Sequence, residues 1–246
     1  MVLWIITELG DVGSTQKEAA ELAARGAPEG TTVVARSQAS GEGRLGRTWV
    51  SPAGGLYMSF VLRPRNLTRL ELATLVSAVA VVQGIKDAAG LRTTIRWPND
   101  VMVGGKKLAG VIARAESHGN TLSEVVIGIG VNCNTPLAQI EVQNEKVTTI
   151  AEELGRNQNT LVLRDSILES FSKLYEEWKT GAEMSKTWRG HLDTLGKQVS
   201  IKLKTNETPF SYIARGIDRA GGLVVAEGRT TKVINAEELE WLREGS

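Results

Sequence analysis

The stretch between residues 92 and 134 constrains the fold more than any other part of the chain. It contains three strand-like segments, LRTTIRWPND, VMVGGKKLAGVIARAE and TLSEVVIGIGVNCN, with turns expected at Gly104-Gly105 and at residues 117–120. Parallel neighbours need a crossover of roughly a dozen residues or more, whereas short turns join antiparallel strands. This region therefore predicts antiparallel pairing and argues against a regular alternation of strand, helix and strand.

The segments on either side add further strands and several helices. Strands are expected at residues 2–7, 31–38 and 54–64. The first helix is expected after a T-x-x-E capping box of Thr15 and Glu18. A second box, Thr68 with Glu71, starts a long helix over about residues 67–89, whose apolar residues recur at helical spacing and cover a core face.

The last hundred residues change from helices to strands. Two or three helices are expected between about residues 148 and 195, and four short strands after Gly196 suggest a small β-barrel. We therefore predict an α+β fold with two parts. Residues 1–195 form a mixed, largely antiparallel sheet packed with helices, and residues 196–246 form the small barrel.

Composition narrows the functional classes. The 246 residues carry 29 Lys and Arg against 28 Asp and Glu, so a net charge of +1 predicts no general attraction to nucleic acid or membranes. The single cysteine, Cys133, excludes an internal disulfide and fits a reducing, cytoplasmic compartment. His118 and His191 have no cysteine cluster beside them, so a structural zinc site is not expected. We expect no signal peptide and no apolar run long enough to span a bilayer.

A glycine-rich loop, SGEGRLGRTW, spells G-x-G-x-x-G with Gly41, Gly43 and Gly46. A dinucleotide-binding loop would run into a helix, but TWVSPAGG follows, and no acidic residue stands about 20 positions further on. The loop instead offers Arg44, Arg47 and free backbone N–H groups, which suit a phosphate or a carboxylate. A solvated surface hairpin with incidental arginines is an equally good interpretation of the loop alone.

Two further stretches carry polar residues beside small ones. In RWPNDVMVGGKKLAG, strand alternation predicts that Lys107, Ala109 and Val111 share a face, with the small Ala109 leaving room beside the ammonium. In GIGVNCN, Gly128 and Gly130 allow close approach of a ligand to the backbone, and Asn132 supplies a polar contact.

Taken in order, these stretches resemble the biotin protein ligases along the whole chain. The family's G-R-G-R-x-G-R-x-W loop corresponds to residues 41–49, its W-P-N-D to residues 97–100, and its K-L-A-G to residues 107–110. The early S-T-N corresponds to Ser14-Thr15-Gln16, and ARGIDRAGGL resembles the family's C-terminal barrel. The resemblance implies the biotin–lipoate ligase fold followed by an SH3-like barrel.

The resemblance also implies a two-step reaction. Biotin and ATP, with Mg²⁺, give biotinyl-5'-adenylate and pyrophosphate, and biotin then passes to a lysine of a biotin carboxyl carrier protein, typically that of acetyl-CoA carboxylase. The implied catalytic residues are Lys107, Arg44 and Asp100. The implied biotin-binding residues are Ser14, Thr15, Gln16, Gln38, Glu42, Gly43, Arg44, Lys107 and Gly110. The implied adenylate-binding residues are Arg44, Arg47, Trp49, Asn99, Lys107 and Asn132.

Some of these residues have a purely structural role as an alternative to the implied functional one. The resemblance assigns no ligands for the metal ion. Thr15 would also serve as a helix cap, Asp100 as a turn residue and Asn132 as part of a β-turn. Lys106 is interpreted as a solvated hairpin lysine, and Cys133 and both histidines as structural.

Two positions depart from the family's pattern. Gln16 replaces asparagine and adds a methylene. Glu42 replaces an arginine, and its carboxylate would repel an anionic ligand unless it pairs with Arg44 or Arg47. The hypothesis that follows is weaker retention of the adenylate.

Other functions are weighed against this one. A lipoate ligase shares the catalytic fold, but the glycine loop and the C-terminal barrel favour biotin. A module that merely binds biotin and nucleotide has no need of Lys107, Arg44 and Asp100 together. The match begins at the first strand, so no N-terminal DNA-binding extension is expected, and a homodimer is expected from the family's habit.

Overall fold

The computed structural model describes residues 2–64, 70–118, 121–140, 142, 145–180 and 182–245. The strands are β1 Ile5–Val12, β2 Thr31–Gln38, β3 Leu56–Leu62, β4 Thr94–Arg96, β5 Asp100–Val103, β6 Lys106–His118, β7 Thr121–Val131, β8 Gln198–Leu203, β9 Phe210–Ile217, β10 Leu223–Glu227, β11 Thr230–Ile234 and β12 Leu239–Glu244. The helices are α1 Thr15–Ala24, α2 Leu70–Ala89, α3 Ile150–Leu154, α4 Thr160–Lys179 and α5 Ser185–Arg189.

Seven strands form the larger sheet in the order β1-β2-β3-β7-β6-β5-β4. Only β1 and β2 pair in parallel, and every other neighbouring pair is antiparallel. The predicted α+β fold with a mixed, largely antiparallel sheet is therefore confirmed. β1 is displaced from its expected position at residues 2–7, because its pairing with β2 continues to Val12, opposite Gln38. The turn expected at residues 117–120 falls partly outside the described residues.

The two faces of this sheet pack against different parts of the protein. Along β3, Met58 and Phe60 point into the main hydrophobic core with α2 and α4, while Val61 packs with α1 on the opposite face. Side chains alternate along a strand, so Ser59 lies on the α1 face as well. The large core therefore occupies one face, and the α1 face is left partly open.

Helix α2 is buried on several sides, which corrects the expectation of a single core face. It packs between α4 and β6, and residues 75–82 are all buried. Its segment Leu72–Ala89 is long and apolar enough to cross a membrane, with mean hydropathy 1.4, contrary to our expectation, but 67% of it is buried inside the protein. A helix that is apolar all round is typical of a protein core as well.

The first capping box is wrong in detail. Ser14 stands at the N-cap of α1 and makes no capping hydrogen bond with its side chain. The Thr15 hydroxyl turns away towards Gln38 and Ser59. The second box cannot be assessed, because Thr68 lies outside the described residues.

The C-terminal strands form an antiparallel sheet in the order β11-β10-β9-β8-β12. This sheet contains β12, a fifth strand that the sequence did not predict. The hydrophobic core continues from the larger sheet into this one without a break. Buried Trp97 links the two parts, since its Nε1 donates to the Gly221 carbonyl at 3.0 Å. The boundary near residue 195 stays a prediction.

Candidate active site

A cavity of about 1300 Å³ lies on the α1 face of the larger sheet. Its walls are the start of α1, the glycine-rich loop, the turn between β4 and β5, and the end of the chain at residues 239–245. Sites for single drug-sized ligands are typically about 300–1,000 Å³. The cavity is therefore large enough for a nucleotide together with a second small molecule.

Three glycines form the floor of this cavity. Strand register places Gly110 opposite Gly130, and Gly128 opposite Ile112, on the same face. A Cβ at Gly130 would lie 2.4 Å from Trp49 Nε1, and one at Gly128 would lie 2.4 Å from Gln16 Oε1. The glycines are therefore required so that the Trp49 indole and the Gln16 amide can lie directly on the sheet.

The face predicted for Lys107 is wrong in part. A register shift between β5 and β6 pairs Val101 with Ala109 but Met102 with Lys107, so one extra residue interrupts the alternation. Ala109 consequently points into the hydrophobic core, while Lys107 lines the cavity with Gly110. The room beside the ammonium comes from the glycine floor and not from Ala109.

A polar network at the start of α1 forms one end of the cavity. The Thr15 amide donates to Gln38 Oε1 at 2.8 Å, and Gln38 Nε2 donates to Ser51 Oγ at 2.9 Å. Gln16 Nε2 donates to the Val126 carbonyl at 2.9 Å. Within this network the Ser14 hydroxyl is buried without a partner, so it is free to bond a ligand. Ser14, Thr15, Gln16 and Gln38 thus lie together, as predicted.

The glycine-rich loop folds as a small hairpin over the cavity. The Gly43 amide donates to the Arg47 carbonyl at 2.7 Å, and the Trp49 amide donates to the Gly41 carbonyl at 2.9 Å. Leu45, at φ +57°, takes the left-handed conformation at the tip. Only one short 3-10 turn, Arg44–Gly46, interrupts the loop. No α-helix follows the glycines within the described residues 41–62, in agreement with our rejection of a dinucleotide-binding fingerprint.

Glu42 lines the cavity but pairs with a residue that was not considered. Its carboxylate forms an ion pair with Arg114 of β6, so its partner is neither Arg44 nor Arg47, the two residues whose pairing would have softened its repulsion of an anionic ligand. One oxygen, Oε1, is buried and has no hydrogen-bond partner. Arg114 follows Gly110 and Ile112 on the same face of β6. The local sequence gives no signal for this pair, because the partners belong to different segments.

Arg44 and Arg47 reach from the loop to the C-terminal part of the chain. Arg44 Nη2 donates to the Ala236 carbonyl at 2.6 Å, and Arg47 Nη2 donates to the Glu240 carbonyl at 3.2 Å. Arg44 also contacts Asn99 Oδ1 at 3.3 Å. Burial lowers the pKa of Arg44 despite the nearby charge of Asp100. The loop cations therefore close the cavity against the C-terminal strands.

Beneath the loop, two cations and two carboxylates form a compact charge cluster. Asp100 lies 2.9 Å from Lys107 Nζ and 2.6 Å from Arg96 Nη2. Glu145 lies 2.6 Å from the same Arg96 nitrogen and 3.6 Å from Lys107 Nζ. Burial raises the pKa of Asp100, but the charges of Lys107 and Arg96 outweigh it and hold the pKa below its usual value. Asp100 is thus an ionised partner of Lys107 and not merely a turn residue.

The two predicted asparagines are buried and largely engaged by the backbone. Asn99 Nδ2 donates to the Val111 carbonyl at 2.9 Å, and Asn132 Nδ2 donates to the Thr148 carbonyl at 3.2 Å. Both line the cavity. Their side-chain Nδ2 groups hold the surrounding segments in place. A ligand in the cavity would contact the parts of these side chains that do not take part in the two backbone hydrogen bonds.

The residues interpreted as structural lie apart from this chemistry. Lys106 is half-exposed and pairs with Glu153 at 2.5 Å, outside the cavity. Cys133 is fully buried, and burial raises the pKa of its thiol to about 12, so the thiolate is not available near neutral pH. Burial, with help from Lys86, lowers the pKa of His191.

Fold and cavity together define a class of protein. Its members are α+β proteins with a cavity between a glycine floor, a cationic loop and a buried lysine, an arrangement that suits an anionic ligand. A family model described as the biotin/lipoate A/B protein ligase family matches residues 9–132. The chain belongs to this family.

Similar proteins cover nearly the whole chain. A bifunctional ligase/repressor BirA of Bacillus subtilis is 36% identical over 234 residues, which are 93% of this chain and 71% of the relative. A biotin–[acetyl-CoA-carboxylase] ligase of Paracoccus denitrificans is 31% identical over 239 residues, 94% of this chain and 98% of the relative. The biotin protein ligase of Aquifex aeolicus, solved with biotin and ATP, superposes with a TM-score of 0.84 at 27% identity and covers 98% of this chain and 99% of that one.

Proposed function

We propose that this protein is a biotin protein ligase that activates biotin with ATP and transfers it to a lysine of a carrier protein. The observation that carries the proposal is one cavity with a polar, ring-recognising end at Ser14 and Gln38 and a cationic end at Lys107. Biotin has a hydrogen-bonding ring at one end and a carboxylate at the other, so its two ends match the two ends of the cavity.

In the first step, a biotin carboxylate oxygen attacks the α-phosphorus of ATP. A new P–O bond forms, the bond to pyrophosphate breaks, and biotinyl-5'-adenylate remains. Lys107 would hold the carboxylate against the phosphate, and Arg44 and Arg47 would contact the phosphate, because fixed cations stabilise charge that develops in the transition state. Trp49 would pack beside the adenine.

In the second step, the neutral amine of the acceptor lysine attacks the acyl carbon, the bond to AMP breaks, and an amide forms. The acceptor is a biotin-carrying protein of a carboxylase, since relatives are named biotin–[acetyl-CoA-carboxylase] ligases. We further propose that it is a biotin carboxyl carrier protein.

Mg²⁺ belongs to this proposal as the companion of ATP. The described residues contain no group of three or more His, Cys, Asp or Glu side chains that would hold a metal ion. Mg²⁺ at ATP sites keeps several waters and is bound through substrate phosphates with only one or two carboxylates. Asp100 and Glu145 are the carboxylates that line the cationic end.

Oligomeric state and location complete the proposal. β1 is an edge strand of the larger sheet, and the exposed Leu3 and Ile5 lie at that edge, which supports pairing with a second copy. Light scattering of the purified protein tests the homodimer. The single buried thiol of Cys133 supports a reducing, cytoplasmic location.

The decisive experiment is ATP-dependent incorporation of labelled biotin into a biotin-carrier domain. Lys107→Ala should abolish detectable transfer, whereas Lys106→Ala should retain it, because Lys106 pairs with Glu153 outside the cavity. Equal activity of the two variants would contradict the assigned role of Lys107. Activation of lipoate in place of biotin would keep the fold and overturn the substrate.

A further inference from the structure

Glu145 is a carboxylate that lies between Lys107 and Arg96. Apart from lining the end of the cavity where the Mg²⁺ of ATP would lie, it has no part in the two steps described above. Its Oε1 contacts Arg96 Nη2 at 2.6 Å, and its Oε2 stands 3.6 Å from Lys107 Nζ. The latter distance exceeds a normal N–H···O hydrogen bond of about 2.7–3.2 Å. The ammonium therefore has a close partner in Asp100 and a loose one in Glu145.

The backbone fixes Glu145 to this place. β7 ends at Val131, opposite Ala109, and from there the segment 145–148 continues beside β6. The Lys107 amide donates to the Lys146 carbonyl at 2.8 Å, and the Thr148 amide donates to the Lys107 carbonyl at 2.9 Å. The residues directly after Glu145 are thus tied by main-chain bonds to Lys107, the residue whose ammonium Glu145 faces.

The two carboxylates of the cluster differ in how firmly they are held. Asp100 uses one oxygen for Lys107 and the other for Arg96, and 16% of its side chain is exposed. Glu145 has one close contact, and 29% of its side chain is exposed. An anion that enters the cavity can therefore replace Glu145 at Lys107 at a smaller cost than Asp100.

We propose that Glu145 is a positioning residue that serves as a displaceable counter-anion for Lys107 and Arg96. It holds both cations at the cavity while no ligand anion is present, and it gives way to the carboxylate or phosphate of a substrate. This inference rests on the proposed function. It implies that the affinity for an anionic ligand is lower than it would be with Lys107 and Arg96 alone. The ligand must compete with the carboxylate of Glu145 for these two cations.

The test compares a charged ligand with an uncharged one. Dissociation constants for biotin, and for the analogue with –CH₂OH in place of the carboxylate, are measured by calorimetry on the wild type and on Glu145→Gln. Loss of one partly exposed ion pair changes affinity by about fivefold. We expect Glu145→Gln to bind biotin about fivefold more tightly and to bind the alcohol within about twofold of the wild type.

Two further variants sharpen the comparison. Glu153→Gln removes a carboxylate from α3 that pairs with Lys106 and accepts a bond from Thr148, so it perturbs the same segment without touching the cavity. It should leave the preference for biotin over the alcohol unchanged. Glu145→Asp keeps the charge but withdraws it by one methylene, and it should shift the preference in the same direction by about twofold, whether or not the glutamine variant folds.

The possible results separate the two proposals. If both ligands shift together in Glu145→Gln, or neither shifts, Glu145 has only a structural role and the counter-anion is overturned. If the wild type binds neither ligand, the proposed function is overturned. The proposed role of Glu145 as a counter-anion is then overturned as well, because it depends on that function.

Discussion

Gly84 lies where α2 crosses α4, and its replacement by alanine sets helix propensity against packing. Alanine in a helix interior is favoured over glycine by about 1 kcal/mol. An alanine Cβ at this position, however, would lie 2.6 Å from Ile167 Cγ1, 2.7 Å from Ile167 Cα and 2.8 Å from its amide nitrogen. Two of these atoms belong to the backbone of α4, so a side-chain rotation cannot relieve the clash.

Packing should outweigh propensity here. Carbon atoms pack best at about 3.5–4.0 Å, so α4 would have to move away from α2 by about 1 Å. Overpacking a core typically costs about 1–3 kcal/mol, and a shift of two whole helices belongs at the upper end of this range. After the gain in propensity, the free energy of unfolding should fall by about 2 kcal/mol. For a chain of this size, that lowers Tm by about 4–8 °C.

Thermal unfolding followed by circular dichroism measures this effect. Gly10→Ala is the matched control, because an alanine Cβ there would have no atom within 4 Å and the position is exposed in β1. It should leave Tm unchanged or raise it slightly. A rise in Tm for Gly84→Ala, similar to that of the control, would refute the packing argument. Biotin affinity at 25 °C should not change, since α2 does not line the cavity.

Three other predictions follow from contacts in and beside the site. Asp100→Asn should lower the free energy of unfolding at pH 7 by about 2 kcal/mol. The difference from the wild type should begin to shrink at about pH 4, near the unfolded pKa, and should vanish only below the folded pKa. The pKa of Asp100 is raised by burial but depressed overall by Lys107 and the neighbouring guanidinium, so its contribution is present above its unfolded pKa and is lost as pH falls through the folded one. Trp97→Phe removes the 3.0 Å bond to the Gly221 carbonyl and should cost about 1–2 kcal/mol in urea unfolding; an unchanged midpoint would contradict this. Glu42→Arg should slow release of the adenylate in a stopped-flow chase, and release at the wild-type rate would refute the weak-retention hypothesis.

Local patterns predicted most of the larger sheet. β2 begins and ends where its β-branched run predicts, and the glycine turn at residues 104 and 105 joins β5 to β6. A strand rich in β-branched residues and a glycine turn are set by residues adjacent in the chain, so local sequence patterns are sufficient to predict them. The end of the chain is different: residues 236–244, AEELEWLRE, are rich in helix formers, yet most of them form β12. Pairing with β8 overrides their intrinsic preference.

The sequence predicted which residues line the candidate site better than it predicted which residues they contact. Lys107, Asp100 and Arg44 lie in the cavity, as the motifs indicated. The register shift that turns Lys107 towards it has no signature in the local alternation. Arg114 and Glu145 were missed because their roles depend on segments that meet only after folding.

Arg44 and Arg47 of the glycine loop hydrogen-bond to the C-terminal part of the chain through backbone carbonyls, those of residues 236 and 240. Every amino acid carries the same carbonyl, so these two hydrogen bonds place no demand on side-chain identity. In a saturation library, substitutions at positions 236 and 240 should therefore leave the two hydrogen bonds intact, while Arg44 on the donor side should accept almost none. An engineer could accordingly rewrite the surface around the closed loop without opening it.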